Sequence, residues 1–337
     1  MSEGVPARSG LSRRDFILIF VAVIVWVAAN LAVVVLARGS LPFDRPALAG
    51  FPFAAQMAAP SVGMIEIFLL MGVVWLLTRR RPPIDLAARA PEARRCAIET
   101  MALLGYAMLG QAGGWWVGPA FGGRPFSFHI AGTLFGCTTP PSPSEVLVWA
   151  GYNFVVFALV PYLWFRGRYS PTELNLTSNY WSNDVLVILV VGVIEGLFEL
   201  ATLPGLFRLN GDQLLLGGLV AFAAFFIGTV LPTMILIYAI LLPRYLRLTG
   251  SYVGAIILGG LTYAAMHIVE GWSRFDTPSD IALSLIFVVL TYLGPGMIKS
   301  FLTLRTGNAW VHALGYHAIA PHVLVDAPLM VKVFALR

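Results

Sequence analysis

The sequence predicts an all-α fold, a polytopic transmembrane helical bundle of about eight to nine spans. Three observations predict it. Of the 337 residues 58% are hydrophobic and 12% charged, and a mean hydropathy of +0.81 is far above that of water-soluble chains. Several apolar stretches reach the roughly 20 residues that a helix needs to cross the hydrocarbon core. Lys and Arg fall into alternate connections, as an orientation set by positive charge requires. That placement accounts for the net charge of +5 and argues against nucleic acid as a partner.

Nine stretches qualify in order, at 16–37, 61–78, 97–119, 145–165, 185–207, 214–242, 252–270, 281–303 and 308–325. The first follows "LSRRDF", charged like the start of a signal peptide, but its apolar run is too long for one and reads as an uncleaved anchor. With the N-terminus in the cytoplasm, fifteen of the 22 Lys and Arg lie on the inner side, among them Arg89, Arg244 and Lys299, and seven on the outer side. The expected location is the inner (cytoplasmic) membrane of a bacterium, with the lipid bilayer as the first partner. In this topology Cys96 and Cys137 fall on opposite sides and cannot pair.

The chain divides at the Pro/Ser-rich loop "GCTTPPSPSE" (136–145), whose end supplies an N-cap for the fourth helix. Residues 1–143 hold the N-terminal helices, 144–325 a helical core and 326–337 a tail. In the first part "RRRPPIDLAARAPEARR" (79–95) is a basic loop suited to anionic headgroups. "GQAGGWW" (110–116) sets two Trp at the outer interface, and Glu66 reads as a hydrogen-bonded structural carboxyl.

Chemistry is expected where ionisable groups sit inside apolar segments, because an uncompensated charge in hydrocarbon is costly and faces a cavity or a partner instead. Glu195 and Glu199 are four apart and share a helical face. In "YAAMHIVEG" (263–271), His267 shares a face with Tyr263 and Glu270. Glu270, beside "GWSRFD" at the helix end, reads as a solvated interface charge. In "RTGNAWVHALGYHAIAPH" (305–322), His317 lies deep in the last span. His312, five residues earlier, points about 140° away on an α-helix, so His312, His317 and His322 are not expected to enter one pocket. All histidines except His129 lie in these last two regions.

From about residue 160 to 322 the order of these landmarks resembles the CAAX-processing and bacteriocin-processing (CPBP) family of intramembrane proteases, which carries Glu-Glu-x-x-x-Arg, then Phe/Tyr-x-x-x-His, then His-x-x-x-Asn/Asp. "YAAMH" matches the second motif through Tyr263 and His267, and "RTGNAWVHALGYH" looks like the approach to the third, placing His317 at its histidine. "YAILLPRYLRLTGS" (238–251) resembles the segment after the first motif. In that register Thr233 and Met234 stand at the two glutamates and Tyr238 at the arginine, and Pro321 stands at the Asn/Asp. A rival register on "IEGLFE" puts Ile194 and Glu195 at the glutamates and Glu199 at the arginine. It lies 72 residues before His267, against 34 from Thr233, and the shorter interval suits the family. The resemblance implies a glutamate and the first histidine that activate a water, and a second histidine that steadies the oxyanion. Thr233 and Met234 cannot supply the base.

Three readings follow. One is a CPBP-like protein without proteolysis, a pseudoenzyme, whose intramembrane cavity, lined by Thr233, Met234, Tyr238 and Tyr263 with His267 and His317, binds a lipid, a peptide or a membrane-protein partner and requires no cofactor. Another is an active endopeptidase in which Glu195 or Glu199 reaches toward His267 as a displaced base. The third is a zinc site, with His312, His317 and His322 at His-x4-His spacings and Glu270 or His267 completing the set.

Overall fold

The computed structural model describes residues 11–41, 50–130, 140–202, 204–270 and 272–337, and these contain helices and no strand. Cys137, Arg8 and Arg45 lie outside the described residues. The helices are α1 (Arg13–Ala37), α2 (Phe53–Thr78), α3 (Ala93–Ala120), α4 (Pro143–Arg166), α5 (Trp181–Thr202), α6 (Gly211–Thr249), α7 (Tyr252–Ala265), α8 (Pro278–Thr306) and α9 (310–333). Five of them, α1, α2, α4, α6 and α8, are long and apolar enough to cross a bilayer, so this is an integral membrane protein.

The starts are written in local chemistry. Ser12, Ser142 and Asn210 close capping boxes with Asp15, Glu145 and Gln213, and Thr277 caps α8. Several bounds differ from the sequence expectation. The Ala-rich segment before Pro60 is helical, so α2 begins at Phe53. Helix α7 stops at Ala265, and residues 266–270 turn inward. The expected tail at 326–333 is helix, packed on α6 as the end of α9.

Helix α6 runs through the centre, where every residue from Met234 to Leu242 is buried. Against it pack α3, α4, α7 and α8, and its first part lies on α9. Helix α1 leans on α7 and α8 and turns Phe16, Phe20 and Val35 outward, as a lipid-facing helix does. Helix α7 meets α8 at Gly260 and Gly296, where a Cβ on Gly296 would stand 2.7 Å from the Gly260 Cα. Only glycine permits that approach.

Five stretches of these helices wind as π-helix: Phe154–Leu159 in α4, Phe226–Val230 and Met234–Leu241 in α6, and Ala313–His317 and Ile319–Leu324 in α9. Three of them end just before a proline, Pro161, Pro232 or Pro243, which lacks the N–H that an upstream carbonyl needs. Side chains of neighbouring segments supply donors there. Tyr106 Oη donates to the Val156 carbonyl at 2.7 Å, Asn153 Nδ2 to Gly228 at 2.8 Å and Asn175 Nδ2 to Tyr238 at 3.1 Å. Prolines in buried helices persist where such partners exist.

The connections gather at two ends. At one, Ser251 donates to Asp15 at 2.5 Å and Arg89 to Asn175 at 2.6 Å and to the Gly307 carbonyl at 2.8 Å. At the same end Asp184 joins Arg81 at 2.6 Å and Asn308 at 2.9 Å. At the other end residues 121–130 pass beneath α4, where Trp149 and Asn153 both donate to the Phe128 carbonyl at 2.9 and 2.7 Å. Ser127 donates to the Val269 carbonyl. Three basic residues counted on the inner side are interior instead. Arg244 binds Glu99 through two nitrogens at 2.6 and 2.9 Å, Arg89 is the strap just described, and Lys299 is buried within α8.

Candidate functional site

All five histidines of the chain belong to one connected cluster. Helix α7 supplies Tyr263, and the turn after it supplies His267 and Glu270. His267 Nδ1 donates to the Tyr263 carbonyl at 2.6 Å, its ring stacks on Tyr292 with centroids 3.9 Å apart, and its Nε2 faces His129 Nε2 at 3.1 Å. The carbonyl can only accept, so the proton is on Nδ1 and Nε2 keeps its lone pair. His129 Nδ1 lies 3.4 Å from Glu270 Oε1.

Helix α9 supplies the other three. His317 Nδ1 is 3.4 Å from Thr233 Oγ1 and its Nε2 is 3.4 Å from Tyr263 Oη, so His267 and His317 both touch Tyr263, one through backbone and ring, the other through the hydroxyl. His322 Nδ1 pairs with Asp326 at 3.0 Å, and the His322 ring stacks on Phe225. His312 packs on Tyr238 with Nδ1 3.3 Å from Thr303 Oγ1. As expected, the three do not share one pocket, since His317 and His322 line the neighbouring cavity and His312 does not. Their rings nevertheless lie nearer one another than on a straight α-helix: the spacing of five is matched by π winding, whose hydrogen bond runs from i to i+5. Ring centroids are 6.5 Å apart for His312 and His317 and 5.1 Å for His317 and His322.

Beside the cluster is a cavity of about 200 Å3. Its polar wall is Glu66 of α2, Glu195 and Glu199 of α5, Lys299 of α8, His317, His322 and His129, and its apolar wall includes Met64, Ile67 and Leu290. Glu66 and Glu195 are within hydrogen-bonding reach of each other. Lys299 Nζ sits 3.7 Å from the centroid of the Tyr263 ring, a cation over a π face.

Tyr263 and His317 therefore line the cavity together with Glu195 and Glu199. Thr233, Met234 and Tyr238 are buried behind them. The His267 ring finds Tyr263 and His129, and the carboxylate grouped with that pair is Glu270, which is not a solvated charge: it is 3% exposed. The chain turns at 266–270, after α7 has ended at Ala265, and Glu270 is buried there. Two groups were not singled out as site residues from sequence. His129 lies in "FSFHI", outside any helical period, and its signal is an imidazole between bulky apolar residues. Lys299, in "GMIKSFL", is a lysine inside an apolar run. Compared with known proteins, the chain matches no family model, no curated protein and no solved structure.

Proposed function

We propose that this integral membrane protein keeps a CPBP-like helical core whose cavity binds the polar end of a membrane-derived ligand, a lipid or a peptide, without cleaving it by that family's chemistry. Its place is the bacterial inner membrane with the N-terminus in the cytoplasm. The observation that carries the reading is Thr233, whose hydroxyl is the group 3.4 Å from His317 Nδ1, at the position where the resemblance sets a glutamate. A threonine hydroxyl is no base near neutral pH, and losing a general base costs about 10²- to 10⁴-fold in rate. The cavity suits a headgroup or one or two residues of chain, with carboxyls and a lysine at one wall and aliphatic side chains at the other.

Gly63 lines this cavity and has open space where a Cβ would stand. Gly63→Phe is expected to expel ligand that co-purifies with the wild-type protein, read by native mass spectrometry, with a melting temperature within a few degrees of the wild type. Ligand occupancy unchanged in Gly63→Phe refutes the reading.

A second reading, the endopeptidase with a displaced base, is favoured by one observation: Glu195 and Glu199 line the same cavity as His317. It requires cleavage of a membrane peptide that Glu195→Gln or Glu199→Gln abolishes.

A further inference from the structure

We infer that His129, His267 and Glu270 form a binding site for one divalent transition metal ion of the zinc class. Each residue offers one donor atom, and the three atoms lie within 4.8 Å of one another. With Nε2 as the donor of each histidine, the two nitrogens stand 3.1 Å apart; the 3.4 Å approach of Glu270 Oε1 to His129 is to the other ring nitrogen, Nδ1, which cannot bind the same ion. Metal–nitrogen and metal–oxygen bonds of about 2.0–2.2 Å in a tetrahedral site put neighbouring donors about 3.3 Å apart. The three donor atoms span up to 4.8 Å, so side-chain rotations that draw them together are required to place an ion among them.

The surroundings are those of a ligand set. The Tyr263 carbonyl takes the Nδ1 proton of His267 at 2.6 Å, which fixes the ring and leaves Nε2 free to bind, the usual second partner of a metal-bound histidine. His322 is held in the same way by Asp326 at 3.0 Å, and its Nε2 is buried with no hydrogen-bond partner among the described residues. Its ring lies 6.5 Å from that of His129, on the cavity side. Two imidazoles and a carboxylate make a three-ligand set of the kind that leaves a fourth position open, and His129 of the set also lines the cavity. Imidazole and carboxylate together favour zinc, cobalt or nickel over magnesium or calcium.

The test uses the full chain in detergent, purified without chelator and without a histidine tag. Elemental analysis is expected to find close to one zinc-class ion per chain. After the ion is stripped, titration with Co2+ is expected to give visible ligand-field absorption that saturates at one equivalent. His129→Ala and Glu270→Gln are each expected to weaken Co2+ binding at least tenfold, whereas His312→Gln, outside the set, is expected to keep it. A wild-type protein that gives no saturable Co2+ spectrum overturns the inference whether or not the variants fold. So does a spectrum that survives unchanged in the His129→Ala, Glu270→Gln double variant. Occupancy of the cavity by ligand is a separate readout, so failure of one proposal leaves the other measurable.

Discussion

Glu99 shows how a single residue is held to its place in this apolar interior. It receives Arg244 through two nitrogens, the Tyr169 hydroxyl at 2.9 Å and Arg95 at 2.9 Å, while the Arg244 guanidinium also faces the rings of Phe165 and Tyr169. Arg244 is 1% exposed, so removing its counter-charge leaves a buried cation with no carboxylate. Glu99→Gln is expected to lower stability by about 3–5 kcal/mol, read from unfolding in mixed detergent. Glu99→Leu combined with Arg244→Met is expected to recover most of that loss, because the cost lies in the uncompensated charge. Residue chemistry of this kind was only half legible in the sequence. Arg244 reads as a loop charge because basic residues mark membrane edges. Nothing in one strand of sequence reveals that Glu99, 145 positions earlier, lies against it.

At the scale of elements, helix type decides which side chains meet. The capped starts were readable because a cap is a contact across three residues; the π stretches were not, since they depend on donors from other helices. Asn153 is one such donor, satisfying both the Gly228 carbonyl above Pro232 and the Phe128 carbonyl that holds the loop leading to His129. Asn153→Ala is expected to cost roughly 1–3 kcal/mol, because the Gly228 carbonyl loses its side-chain donor while Trp149 still donates to the Phe128 carbonyl. A fall in melting temperature of less than about one degree would show that water or backbone replaces the amide. The same dependence explains why His312, His317 and His322 read as divergent on a straight helix and are neighbours on α9.

For the whole molecule, the alternation of polar loops was legible, because it follows from charge and hydropathy along the chain. The site was legible only in part: His267 and His317 stood out as imidazoles in apolar helices, whereas His129 and the inward turn of Glu270 arise from how loops pack at one end. The two-ended arrangement predicts that, in a background with Cys96 and Cys137 replaced, a cysteine at Glu92 and one at Asp276 react with an impermeant thiol reagent from opposite faces of the membrane. Labelling of both from one face would break it. From α2 onward, the described helices that qualify alone as spans alternate with others, of which α5 carries Glu195, α7 leads into His267 and α9 carries His317. A helix bearing such groups gains little by partitioning into lipid unaided. Synthesis on the ribosome therefore meets α5 when α2 with Glu66 has already been delivered, and meets α9 last, when the rest of its polar lining awaits it. Biogenesis of this chain is a matter of sequence order, each reluctant segment being drawn into the bilayer by companions that entered before it.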